Sequence, residues 1–151
     1  MAHVLSENAV LYYNAGTYAA PTWTEITNCK DVTLGLEGSE VDVSTRAGNG
    51  WTESVQGLLT ASIDFNMLWD RGSTDGAFIA ISAAFFAKTS VEMLVLDGPY
   101  DATDGDSQGL RAICMVATFN RNETLGEALT VDVSLKPIKN TSAAPTWWTQ
   151  P

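Results

Sequence analysis

The sequence predicts a mainly β domain: a two-sheet β-sandwich or barrel with one flanking α-helix. Three observations carry this. Short runs of period-two alternation recur between clusters of Gly, Pro, Asn and Asp. Only one stretch, Ser73 to Lys88, has helical character. No repeat or linker divides the 151 residues, 45% of them hydrophobic, so the chain can bury the core of one domain.

Ala9 to Tyr13 reads as a short strand. Ala20-Pro21 carries turn chemistry, and strands follow around Trp23 to Ile26 and Asp31 to Leu36. Glu37-Gly38 predicts a tight turn into a further strand, Glu40 to Ser44, with Val41 and Val43 on one side and Glu40, Asp42 and Ser44 on the other. The Gly-rich stretch Arg46 to Gly50 predicts a flexible loop that closes on Trp51. From Leu59 the alternation is unbroken. Leu59, Ala61, Ile63, Phe65, Met67 and Trp69 face a core, while Thr60, Ser62, Asp64 and Asn66 face water.

The helix is STDGAFIAISAAFFAK. Ser73, Thr74 or Asp75 can cap it, Asp75 suits the positive end of the dipole and Lys88 the negative end. Phe78, Ile81, Ser82 and Phe85 form one stripe that Ile79 and Phe86 widen, so burial on more than one side is expected. Strands resume in VEMLVLDG, LRAICMVATF and ALTVDVSLK. In the last, Leu129, Val131, Val133 and Leu135 face the core and Thr130, Asp132 and Ser134 face out. The tail NTSAAPTWWTQP has no periodicity.

The formal net charge is −10, a sign that repels phosphate and disfavours a protein that grips nucleic acid. His3 is the only histidine and lies in a terminus, against a catalytic triad or a histidine base. The two cysteines, Cys29 and Cys114, sit in apolar or alternating segments and read as buried, reduced thiols, not zinc ligands. Asp101 to Gly109 resembles a calcium loop only superficially, because Gly105 stands where an oxygen ligand is needed and no Glu closes it. Glu40 and Asp42 could pair as glycosidase acids, but alternate acids on a strand ordinarily make its wet face. The N-terminus MAHVLSENAV lacks a basic, apolar leader, and no apolar run is long enough to span a bilayer.

Several pieces in order, KDVTLGLEGSEVDVSTRAGNGW, IDFNMLWD, GAFIAISAAFF, VLDG and FNRNETLGEALTVDVSLKP, resemble the major tail tube proteins of long-tailed siphophages from about Lys30 to Pro137. The resemblance implies a tail tube domain over residues 1–137, with an N-terminal arm over about 1–28, and a C-terminal tail over 138–151. It implies a non-enzymatic virion protein, made in the host cytoplasm and without a cofactor. Such proteins close hexameric rings, stack them into a hollow tube and pass DNA down a lumen lined by a continuous β-barrel. The implied partners are further copies of the chain, a tape measure protein, a tail terminator and distal tail proteins, with no insertion into a membrane.

On that basis Glu40, Asp42, Thr60, Ser62, Asp64, Thr130, Asp132 and Ser134 are the lumen-facing candidates. The stretches Thr60 to Asn66 and Thr130 to Ser134 carry no basic residue, so DNA would slide rather than stick. Arg46, Asn49 and Trp51 are the ring-stacking candidates, since Arg and Trp most often carry interface energy. Trp147 and Trp148 are candidates for contact between subunits. A β-sandwich carbohydrate-binding module using Trp51, Trp147 and Trp148 is the alternative, and an enzyme with paired acids is a further one. Within the tube reading, a tailocin or gene-transfer particle fits the sequence as well as a phage.

Overall fold

The computed structural model describes residues 3–71, 75–100, 106–138 and 143–151. Its strands are β1 (Val10–Asn14), β2 (Trp23–Glu25), β3 (Cys29–Asp42), β4 (Ser54–Leu68), β5 (Ser90–Leu96), β6 (Gln108–Asn122), β7 (Thr130–Pro137) and β8 (Thr146–Thr149), with helix α1 (Gly76–Ala87) between β4 and β5. The alternating stretches became strands because one of their faces found a core. Ile63, Phe65 and Met67 of β4 and Val131, Val133 and Leu135 of β7 are all buried, with polar residues between them.

All pairings are antiparallel and form one continuous sheet in the order β2-β1-β5-β6-β7-β4-β3. β6 is long enough to pair with β5 along one edge and with both β7 and β8 along the other. The two layers expected are therefore two halves of a single hydrogen-bonded sheet. Its ends must curl together, because only residues 26–28 join β2 to β3, a bridge of at most about 14 Å. That bridge is tied to both ends: Ile26 N donates to Leu11 O at 2.9 Å, and Leu68 N donates to Asn28 O at 3.0 Å. Inside the curl, Leu11, Ile63, Met67, Met93 and Leu135 share one core with Ile81 of α1.

The helix starts where the Asp75 carboxylate accepts hydrogen bonds from Ala77 N (3.0 Å) and Phe78 N (3.4 Å). The other cap candidates, Ser73 and Thr74, lie outside the described residues, as do 101–105 of the rejected calcium loop. Lys88 ends the helix in the left-handed region at φ 57°. Phe78 packs edge-on against Trp69 at 4.8 Å, and Phe85 stacks on Phe119 at 5.9 Å.

The fold departs from the sequence reading in its turns, its tail and its exposed apolar residues. Glu37-Gly38 is not a turn: β3 runs through it, with Glu37 opposite Thr60 and Gly38 opposite Leu59. A register shift between Gly38 and Glu40 absorbs the irregularity, and a side chain at Gly38 would collide with Gln56. The tail is not structureless: Thr146–Thr149 pairs with β6 as β8. Leu129 precedes β7 and is exposed, not core. The helix is bare on one side, with Ile79 45% and Phe86 76% exposed.

Candidate assembly surfaces

Register assigns the side chains of the sheet to two faces. Thr33, Gly35 and Glu37 lie opposite Asp64, Ser62 and Thr60, and these lie beside Ser134 and Asp132 of β7 through the Asp64–Ser134 and Asn66–Asp132 pairs. Thr118, Asn120 and Asn122 of β6 continue this face opposite Ser134, Asp132 and Thr130. The predicted residues Thr60, Ser62, Asp64, Thr130, Asp132 and Ser134 thus share one polar surface that crosses β4, β7 and β6.

Glu40 and Asp42 do not belong to it. β3 alternates, so they fall on the face of Leu34, Leu36 and Gly38, which pair with Ile63, Ala61 and Leu59. The same parity appears in the glycine contacts: an added side chain at Gly57 would strike Ser39 and Val41, whereas one at Gly38 would strike Gln56. Grouping acids by charge alone had merged two faces. The polar face is also not free of basic residues, because Lys136 is exposed and in phase with Asp132 and Ser134.

Asp132 is not simply solvated. Its two oxygens accept from Asn66 Nδ2 and Asn122 Nδ2, so one acid is fixed between two amides across three strands. Asp64 next to it is half-buried and makes no such pair among the described residues.

Beyond Ile63 the hairpin of β3 and β4 leaves the body of the sheet. β7 ends its pairing with β4 at Leu135–Ile63, so Ser54 to Ser62 pair with β3 alone. This ribbon has two free edges. It is also apolar on both faces: Leu36 (53% exposed) and Leu59 (73%) on the core-side face, Val41 and Val55 on the polar side. The alternation that predicted Leu59 as core is real, but it runs past the end of the core. A two-stranded ribbon with such faces is marginal alone in water.

The loop at its tip is closed by local hydrogen bonds. Val43 N donates to Glu53 O at 2.9 Å, Glu53 N donates to Ser44 Oγ at 2.8 Å, and a short 3-10 turn spans Arg46–Gly48. Asn49 (φ 53°) and Gly50 (φ 86°) then reverse the chain in left-handed conformations. Ser44 donates from its side chain and backbone to Asp42, holding that carboxyl below its usual range. The result displays Arg46, Asn49 and Trp51 on one tip, with Trp51 79% exposed.

The two C-terminal tryptophans part company. Trp148 packs with Val10 and Trp23 on the outer cluster Tyr12, Leu94 and Leu96 and stacks on Tyr100 at 5.6 Å. Trp147 points away, 55% exposed, and donates from Nε1 to Gln108 at 3.1 Å. Beside it lies an open groove of about 1170 Å³, lined by Leu36 and Leu59 of the ribbon as well as Thr60 and Ser62, and by Leu110, Ser134 and Lys136.

Sequence reasoning missed a clasp on the outer face. Arg111 pairs with Glu92, donates to Tyr18 O at 2.9 Å and lies over the rings of Tyr18 and Trp23. Asn14 completes it, donating to Glu92 at 2.8 Å and accepting from Gly16 N and Thr22 N. One signal was available: Glu92 and Arg111 are lone charges within apolar strands, and buried charges require partners. The clasp fixes the loop between β1 and β2, so part of the predicted N-terminal arm is sheet, with Leu11 and Tyr13 in the core.

Among the described residues no cluster of His, Cys, Asp and Glu is suited to hold a metal ion, and no helix is long and apolar enough to cross a membrane. What the chain offers is surface: a polar face, a projecting ribbon and free strand edges.

Comparison with solved structures finds the same fold in assembled tails. The tail of an empty gene transfer agent particle, refined with C6 symmetry, has 14% identity and a TM-score of 0.69 over 95% of this chain and 98% of that one. The SPP1 tail tube has 12% identity and a TM-score of 0.68 over 98% of this chain and 79% of that one. A chain of the anti-feeding prophage baseplate has 8% identity and a TM-score of 0.63 over 98% and 97%. No curated protein sequence matches. The sequence profile described as phage tail tube protein matches residues 4–137, most of the chain, so this chain belongs to the phage tail tube protein family, a structural component of virion tails.

Proposed function

We propose that the protein closes into hexameric rings that stack as a hollow tail tube, with the polar face of β4, β7 and β6 toward a lumen through which DNA passes. The observation that carries this is the ribbon of β3 and β4. Its free edges invite strand pairing with neighbouring copies, which is how a sheet closes into a barrel without edges. Its bare apolar faces need a cover that the described residues of the subunit do not supply. The C6 symmetry of the similar gene transfer agent tail supports the ring number.

The lumen assignment rests on chemistry. Hydroxyls, amides and acids dominate the face, and Lys136 stands at its end nearest β8. Each added phosphate contact would release counterions and strengthen binding, acting as a brake. Arg46, Asn49 and Trp51, exposed at the ribbon tip, would meet the next ring, and exposed Trp147 a neighbouring subunit. The tape measure protein would occupy the lumen before DNA, with a terminator and distal tail proteins at the tube ends.

Asp64→Lys with Ser134→Lys tests the lumen. Asp132 is left unchanged because two amides hold its carboxylate. Phage assembled with this variant should build tails of normal length and eject DNA more slowly, most clearly at low salt. Ejection at the wild-type rate in low salt would place this face away from the DNA.

A further inference from the structure

The geometry points to a specific contact within the ring: the core-side face of one subunit's ribbon, Leu36 and Leu59 with Glu40 at the outer end, covers the bare stripe Ile79, Ala83 and Phe86 of the next subunit's α1, with Lys88 meeting Glu40. This rests on the assembly reading above and adds which two surfaces meet.

A closed ring needs a heterologous interface, in which two different patches of the same chain are complementary. The chain presents two such patches. On α1, Ile79, Ala83 and Phe86 lie one and two turns apart on the side away from the core, and all are exposed. On the ribbon, Leu36 and Leu59 continue the core alternation past the end of the core and stay exposed among the described residues, on the wall of the open groove beside Trp147. The helix itself carries no charged residue, so nothing on it opposes an apolar partner.

Lengths and charges agree. From Ile79 to Lys88 the helix advances about 13 Å. From Leu36 to Glu40 the strand also advances about 13 Å. Each surface is apolar and then ends in a charge, basic at Lys88 and acidic at Glu40. Both charges are exposed, and neither has an ion-pair or hydrogen-bond partner among the described residues. Laying leucines over the helix stripe brings the two charges together. Beside the stripe, a cleft of about 430 Å³ floored by Ala80, Ala83 and Ala87 offers room for a side chain from the ribbon. Glu40, which register removes from the polar face, thereby acquires a partner.

Paired cysteines test the contact in the full-length protein, assembled into rings or tubes and treated with a short bis-maleimide. Leu59→Cys with Phe86→Cys should give a ladder of covalent oligomers on denaturing gels that ends at the closed ring. Each single variant should give none. Leu36→Cys with Ile79→Cys is an independent second pair, and all four positions are exposed, so the subunit should fold. Lys88→Glu should raise the concentration needed for ring formation several-fold, and adding Glu40→Lys should restore it. Rings that assemble normally but yield no ladder from either pair would overturn this contact and leave the tube reading standing. A wild-type chain that forms no rings would overturn both.

Discussion

Replacing Trp51 with Ala should separate assembly from folding. Trp51 is 79% exposed at the tip of the ribbon. A tryptophan buries up to about 250 Å² when covered, so roughly 200 Å² of this one is left bare by its own subunit. At about 25 cal/mol per Å², covering that area in the next ring is worth up to about 5 kcal/mol, and truncation of such an anchor usually costs 2 kcal/mol or more, roughly. A loss of about 3 kcal/mol weakens each contact roughly 150-fold, and stacked rings repeat the loss in every subunit. The subunit itself buries little of the ring, so its stability should change by less than about 1 kcal/mol. Thermal melting of the unassembled protein and tube length by electron microscopy measure the two effects. Wild-type tube lengths would refute the stacking role, and a large fall in melting temperature would refute the exposed placement.

Other outcomes follow from the subunit alone. Met67→Ala or Leu135→Ala, at positions with no exposure, should cost about 2–5 kcal/mol in denaturant unfolding, whereas Leu125→Ala, fully exposed, should cost almost nothing. Arg111→Ala strands the buried Glu92 carboxylate and should destabilise by about 3–5 kcal/mol, while replacing both partners with apolar residues of similar size should recover most of that. Burial pushes the Cys114 thiol up to about 12 from 9.0 and also raises Cys29, so at pH 8 a thiol reagent should leave Cys114 unmodified in the native protein and label it on unfolding. The stability that Cys114 gains by staying a neutral thiol is whole below pH 9.0 and fades as the pH rises toward about 12.

The strands were legible where alternation coincided with a core, as in Ile63 to Met67 and Val131 to Leu135, and the helix was legible from Asp75 and its apolar run. Alternation fixes which residues share a face, but not whether anything covers that face. Leu59 and Phe86 were therefore expected inside and are outside. β8 was invisible because its four residues hold their place through contacts distant in sequence: Trp148 on Tyr100 and on the Tyr12 cluster, and ladder bonds to Gln108 through Arg111. The continuity of β3 was hidden by Glu37-Gly38, a turn-like pair whose glycine instead makes room for Gln56 across the ladder. Among the candidate residues, the parity of β3 against β4 was the missing fact. Without register, Glu40 and Asp42 could not be told apart from the acids of the polar face.

The most direct test of the account is an electron cryomicroscopy reconstruction of the purified protein assembled into filaments. The account predicts a hollow tube of stacked hexameric rings, with Thr60, Ser62, Asp64 and Ser134 lining the lumen and the ribbons of β3 and β4 running between subunits. Solid filaments, or a tube with α1 rather than β4 and β7 facing the lumen, would contradict it.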